Sequence, residues 1–263
     1  MVNITRMVMA LVLLSVSVLV MGLAIDLSLS QVLNLVYSGI LGLVLGDTFL
    51  FRAFKDIGAR ISMLLMALVP AMTALLAWAF LDEALSLQSI AGMVVTMTGI
   101  TIVILERQPT AGGRQPVNGR GILFGILAAF GQASGLIFAK FALMEAPIHG
   151  FVATLVRIGA AVVIFLPVAV LMKWYRHPIR TYARDPKALA YTGIGAVIGP
   201  YLGITFSLIA IANTEVAIAT TIMSLPPIIM LPLVRIVYKE RLTLRAVGGA
   251  LLAVAGVALL FLR

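Results

Sequence analysis

Residues 40–54 read ILGLVLGDTFLFRAF, and residues 197–211 read VIGPYLGITFSLIAI. Laid over each other at a shift of 157 residues, Gly42, Gly46, Thr48 and Phe49 fall on Gly199, Gly203, Thr205 and Phe206. Extended without gaps, Ile40–Glu106 matches Val197–Arg263 at 17 of 67 positions, where shared apolar composition alone gives roughly six. Pro70 falls on Pro227; Glu83, Leu85 and Leu87 fall on Glu240, Leu242 and Leu244; Gly92 and Gly99 fall on Gly249 and Gly256. Upstream, with a loop six residues shorter in the first copy, Ile4-Thr5-Arg6 lies over Leu155-Val156-Arg157. The chain is an internal duplication. Gly121–Leu143 has no counterpart in the first copy. A protein with nine helices and a sequence begun at an internal Met would give the same pattern; Met1 falls inside the repeat, which favours the second.

Apolar residues make up 62% of the chain and charged residues 11%, with a mean hydropathy of +1.14. These values belong to a membrane protein. Successive apolar runs span roughly 4–24, 32–54, 61–81, 88–105, 121–143, 151–172, 188–210, 216–237 and 243–262. Each is near the ~20 residues that cross a hydrocarbon core, so the expected fold is an all-α, multipass helical bundle of nine helices. Four helices in the first copy and five in the second predict repeats of odd helix number, and therefore of opposite orientation. The first repeat is read as 1–106, the linker as 107–120 and the second repeat as 121–263.

The sequence has no cysteine, which removes disulfides, thiolate metal sites and a thiol nucleophile. His149 and His177 are far apart in loops, so no metal site is expected, and no cofactor. A net charge of +9 raises the question of nucleic acid. The placement of that charge argues against it. Fifteen of the 19 Lys and Arg residues fall in or beside four loops: Arg52–Arg60, Arg107–Arg120, Lys173–Lys187 and Arg235–Arg245. All four lie on one face, and Asp26, Asp82, Glu83, Glu145 and Glu215 lie on the other. By the positive-inside rule the basic face is cytoplasmic, which places the start of the sequence inside and Arg263 outside.

Gly46-Asp-Thr-Phe-Leu-Phe-Arg-Ala-Phe with Gly58-Ala is followed by Leu68-Val-Pro70, Leu81-Asp-Glu83-Ala-Leu85, Gly92 and Gly99. The second copy repeats the order as Leu225-Pro-Pro227, Lys239-Glu240-Arg-Leu242, Gly249 and Gly256. In this ordered set, present twice, the chain resembles the EamA branch of the drug/metabolite transporter superfamily over nearly its whole length. The resemblance implies two inverted five-helix repeats around a central cavity. This chain departs from it in lacking a counterpart of the first helix, and in a charge bias that turns the termini of that ten-helix plan outward.

Few polar residues interrupt the apolar runs. Asp47 is an intramembrane carboxylate whose neighbours one turn away, Leu43, Val44, Leu50 and Phe51, offer it no partner. It should face a cavity or pair across helices, and its counterpart, Ile204, shows that repetition alone does not require it. Gln132, Ser134, Tyr201 and Thr205 are further cavity-lining candidates, set against plain interhelical hydrogen bonding, as are Thr220, Thr221 and Ser224. Arg6 and Arg157 occupy equivalent positions; snorkelling to headgroups is the default for them, with a cavity-facing role as the alternative their repetition raises, and Lys140, near the outer end of its helix, is placed to snorkel as well. Gly195, Gly199 and Gly203 line one helical face and read as a close helix contact. Glu83 and Glu240 read as carboxylates near a helix N-terminus. Pro70 and Pro227 predict kinks.

The expected protein is a transporter of the inner or plasma membrane. It exports a small metabolite, an amino acid or similar solute by resemblance, through alternating access between repeats. Its partners are the bilayer and a small-molecule substrate near the midplane, and Asp47 is the candidate for proton coupling. A drug or lipid-linked sugar exporter and a non-transporting membrane scaffold are the alternatives. A membrane-embedded enzyme is disfavoured, since no catalytic cluster of suitable spacing exists.

Overall fold

The computed structural model describes residues 2–105, 118–171, 182, 185–226, 228–229 and 243–261. Among these the secondary structure is helical throughout, with no strand. The helices are α1 (Val2–Val20), α2 (Leu29–Ser38), α3 (Asp47–Met66), α4 (Val69–Leu81), α5 (Leu87–Leu105) and α6 (Gly119–Glu145). They continue as α7 (Gly150–Leu171), α8 (Pro186–Ala196), α9 (Ile204–Asn213), α10 (Val216–Met223) and α11 (Leu244–Phe261). Six spans are long and apolar enough to cross a membrane: Val2–Val20, Leu29–Ala59, Ile61–Leu81, Gly119–Glu145, Gly150–Leu171 and Pro186–Asn213. Leu87–Val103 and Leu244–Leu259 are shorter apolar helices. Of the expected run 216–237, only the beginning falls within the described residues. Most of the basic loops, Glu240 and Pro227 lie outside them.

Three backbone irregularities recur at the repeat shift. A π-helical turn occupies Gly39–Gly46 between α2 and α3, and another occupies Val197–Gly203 between α8 and α9. The chain turns at Gly58, whose φ of 79° and ψ of 161° are open only to glycine, and again in the short connection between α9 and α10. A further break at Ala67–Leu68 is matched by one at Ser224–Leu225. Pro70 follows that break as the second residue of α4, where its missing N–H leaves nothing unpaired. The expected distortion near Pro70 is therefore an interruption between helices. Of the two π turns only the second contains a proline, Pro200, and Pro167 lies inside α7.

The chain divides into two compact units, Met1–Val44 with Phe138–Asn213 and Leu45–Ile137 with Thr214–Arg263. Each takes helices from both halves of the sequence. In the first unit, Ile4, Met7, Ala10 and Leu14 of α1 pack on Ile158, Ala161, Val162 and Phe165 of α7. Their three- and four-residue spacing puts each set on one face. Ser28 and Gln31 form a capping box at the start of α2. The Gln31 amide also donates to the carbonyls of Ala142 and Ala146, at 3.2 and 3.1 Å, tying that cap to the end of α6.

The second unit is organised by the crossing of α5 and α11. A Cβ added at Gly99 would lie 2.5 Å from the Gly249 carbonyl oxygen, and one at Gly256 would lie 2.8 Å from that of Gly92. These backbones meet directly, and only glycine permits it. The pairs are Gly99 with Gly249 and Gly92 with Gly256, so the helices run antiparallel, and each contact is the other's image under the repeat shift. Gln88 Nε2 donates to Leu259 O at 3.0 Å in the same register. Glu83 also acts on a helix end in the other half of the sequence. Its carboxylate accepts from the Val216 N–H at 3.0 Å, capping α10.

Candidate functional site

Asp47 opens α3 directly after the first π turn. The expected partner across helices exists: Gln132 Nε2 of α6 donates to Asp47 Oδ1 at 3.0 Å. Both side chains are half-buried. The pair sits in the seam of α3 and α6, where Phe49 stacks on Phe124 with ring centroids 5.9 Å apart. The Arg52 guanidinium lies 5.6 Å over the same Phe124 ring. A hydrogen bond to a carboxylate is worth about 1.5–3 kcal/mol, and it offsets part of the cost of placing Asp47 in an apolar seam. Ser134, two residues beyond Gln132, is half-buried.

Tyr201 and Thr205 belong to the other unit and are engaged locally. The Tyr201 hydroxyl shares a 2.7 Å hydrogen bond with Ser17 of α1, and its ring meets Phe151 edge-on at 5.8 Å. Buried Thr205 donates its hydroxyl to the carbonyl of Tyr201, one turn back. Thr220, Thr221 and Ser224 likewise donate to carbonyls of their own helix. Of the five candidates, Asp47 and Gln132 are brought together. Ser17, which no sequence signal singled out, is the missing partner of Tyr201.

Two expectations about cations are corrected. Lys140 does not snorkel. It is 9% exposed, and its ammonium donates to Ile211 O at 2.8 Å, in the last turn of α9. The carbonyl end of a helix carries partial negative charge, which compensates a buried ammonium. Arg157 is 2% exposed, so its side chain is enclosed by protein. The glycine face at Gly195 and Gly199, expected to admit a helix backbone, admits the side chain of Arg6. Cβ atoms built there would lie 3.6 Å from Arg6 Cδ and 3.1 Å from Arg6 Nη2.

A model of the EamA-like transporter family matches residues 1–105 and 119–262. The chain belongs to the EamA-like transporter family. It is accordingly a multipass membrane transporter of the drug/metabolite transporter superfamily. Each matched segment of this EamA-like chain contains one π turn and one glycine-bearing helix of the α5–α11 crossing. Among solved structures, one titled "Crystal structure of protein" is similar to it with a TM-score of 0.76 and 18% identity. That similarity covers 99% of this chain and 86% of that one, and it concerns the fold alone. No curated protein matches the EamA-like chain.

Proposed function

We propose that this EamA-like protein exports a small metabolite, such as an amino acid, across the inner or plasma membrane by alternating access between two inverted repeats. The α5–α11 crossing carries this reading. Equivalent helices of the two halves meet antiparallel, through equivalent glycines in reciprocal pairs. Two such antiparallel helices are interchanged by a two-fold axis perpendicular to them; for helices set across the bilayer that axis lies in the membrane plane, the arrangement on which alternating access is built. The π turns support the same reading, since backbone groups released from regular helix are tolerated at membrane depth only beside protein or cavity water. Substrate binds near the midplane, with Asp47, Gln132, Ser134, Tyr201 and Thr205 contributing to its lining and Asp47 coupling its movement to protons.

The test is flux through the purified chain in proteoliposomes, using a mixed pool of labelled amino acids with and without a pH gradient. Accumulation above protein-free vesicles, enhanced by the gradient, is the expected result. Vesicles indistinguishable from empty ones across the pool would remove the amino-acid reading.

A further inference from the structure

Fifteen of the 19 cationic residues fall in or beside the four basic loops and a sixteenth is the terminal Arg263, leaving Arg6, Lys140 and Arg157 within apolar helices. All three belong to one compact unit, Met1–Val44 with Phe138–Asn213. The described acidic residues of that unit, Asp26, Glu145 and Asp185, are all exposed at helix ends or in loops. Its interior therefore carries cations and no described carboxylate.

Arg6 is half-buried, whereas Lys140 and Arg157 are buried. The Arg6 Cδ and Nη2 lie over Gly195 and Gly199, and Gly199 is the fourteenth residue of the 28-residue span Pro186–Asn213. The guanidinium is thus held halfway along a spanning helix, about 20 Å from either end at 1.5 Å per residue. Its Nε is buried and has no hydrogen-bond partner among the described residues. A guanidinium has donors and no acceptor, and a cation at this depth needs acceptor oxygens, a carbonyl, an anion or cavity water, around it. Ser17, eleven residues on and so within roughly 20° of the same face of α1, places its hydroxyl with that of Tyr201 on the same helix that carries the glycines.

We infer that Arg6, seated on the Gly195–Gly199 face, is a binding site for the anionic oxygens of the transported solute, a carboxylate or a phosphate. This rests on the transport reading for its meaning as a substrate class, and it places the charge-selecting residue outside the five candidates above. A planar guanidinium suits either oxyanion through paired N–H donors, and its side chain, only half-buried, is open to a ligand. Glycine at 199 is part of the site: a methyl there would stand 3.1 Å from Nη2.

The test is binding in detergent by thermal unfolding of the full chain, with sodium succinate, sodium phosphate and sodium chloride at equal ionic strength. Succinate or phosphate should raise the melting temperature above chloride, and the better of the two identifies the oxyanion. Arg6→Gln should weaken that protection about tenfold or more, with Arg6→Lys retaining part of it. Gly199→Ala keeps the charge and crowds the guanidinium, so it should weaken binding even if Arg6→Gln folds poorly. Protection no greater than chloride gives, or unchanged affinity in both Arg6→Gln and Gly199→Ala, would overturn the inference. Binding is read without flux. Anion protection that depends on Arg6 in a chain that moves no solute would therefore sink the transport reading alone.

Discussion

At the scale of single residues, the polar positions of the apolar runs were visible in the sequence and their partners were not. Asp47 stood out because nothing one turn away could satisfy it. Gln132 stood out as an amide at membrane depth. That the two bond depends on packing across 85 residues of chain, which no local spacing encodes. Asp47→Asn keeps an oxygen for the Gln132 amide and removes the charge, so stability should fall by only about 1 kcal/mol. If Asp47 couples transport to protons, the same variant should still move substrate but lose its response to a pH gradient in proteoliposomes. Undiminished gradient-driven flux would reduce Asp47 to a hydrogen bond. Lys140 was misjudged for a related reason. A long cationic side chain near a helix end ordinarily reaches water, but here the end of α9 offers Ile211 O instead. Lys140→Met should leave that carbonyl unpaired and cost about 1–3 kcal/mol, read as a lower melting temperature in detergent. A more stable variant would show that desolvating the ammonium outweighs the bond.

At the scale of elements, helix positions were legible from apolar run length, and their irregularities only in part. Gly42, Gly46, Gly199 and Gly203 recur between copies and were read as packing surfaces. They lie within π turns, which reflect backbone hydrogen bonding and leave no clear mark on side-chain pattern. Gly92, Gly99, Gly249 and Gly256 show the opposite case: their recurrence was seen, and they do bring backbones together. The crossing can be tested by addition. Gly256→Val would drive a branched side chain into Thr96 and the Gly92 carbonyl, and should destabilise the fold by about 1–3 kcal/mol. Gly248→Val, on the same helix where nothing lies within 4 Å, should be tolerated. Equal melting temperatures for the two variants would mean the helices can part without loss.

At the scale of the whole molecule, composition dictated a membrane protein and the duplication dictated repeated helices. Neither indicated that each compact unit would draw on both halves of the sequence. A repeat is a record of local sequence, whereas packing is decided by which apolar and small-residue faces meet, and the α5–α11 contact joins faces more than 150 residues apart. Orientation in the membrane rests on charge, which side-chain packing does not determine. Fifteen of 19 cations on one face put that face in the cytoplasm, because basic loops resist translocation. The chain has no native cysteine, so single substitutions report cleanly. Asp26 and Lys187 are both exposed and are assigned to opposite faces. Asp26→Cys should react with a membrane-impermeant maleimide in intact cells. Lys187→Cys should react only after the membrane is permeabilised. The reverse pattern would place the basic loops outside.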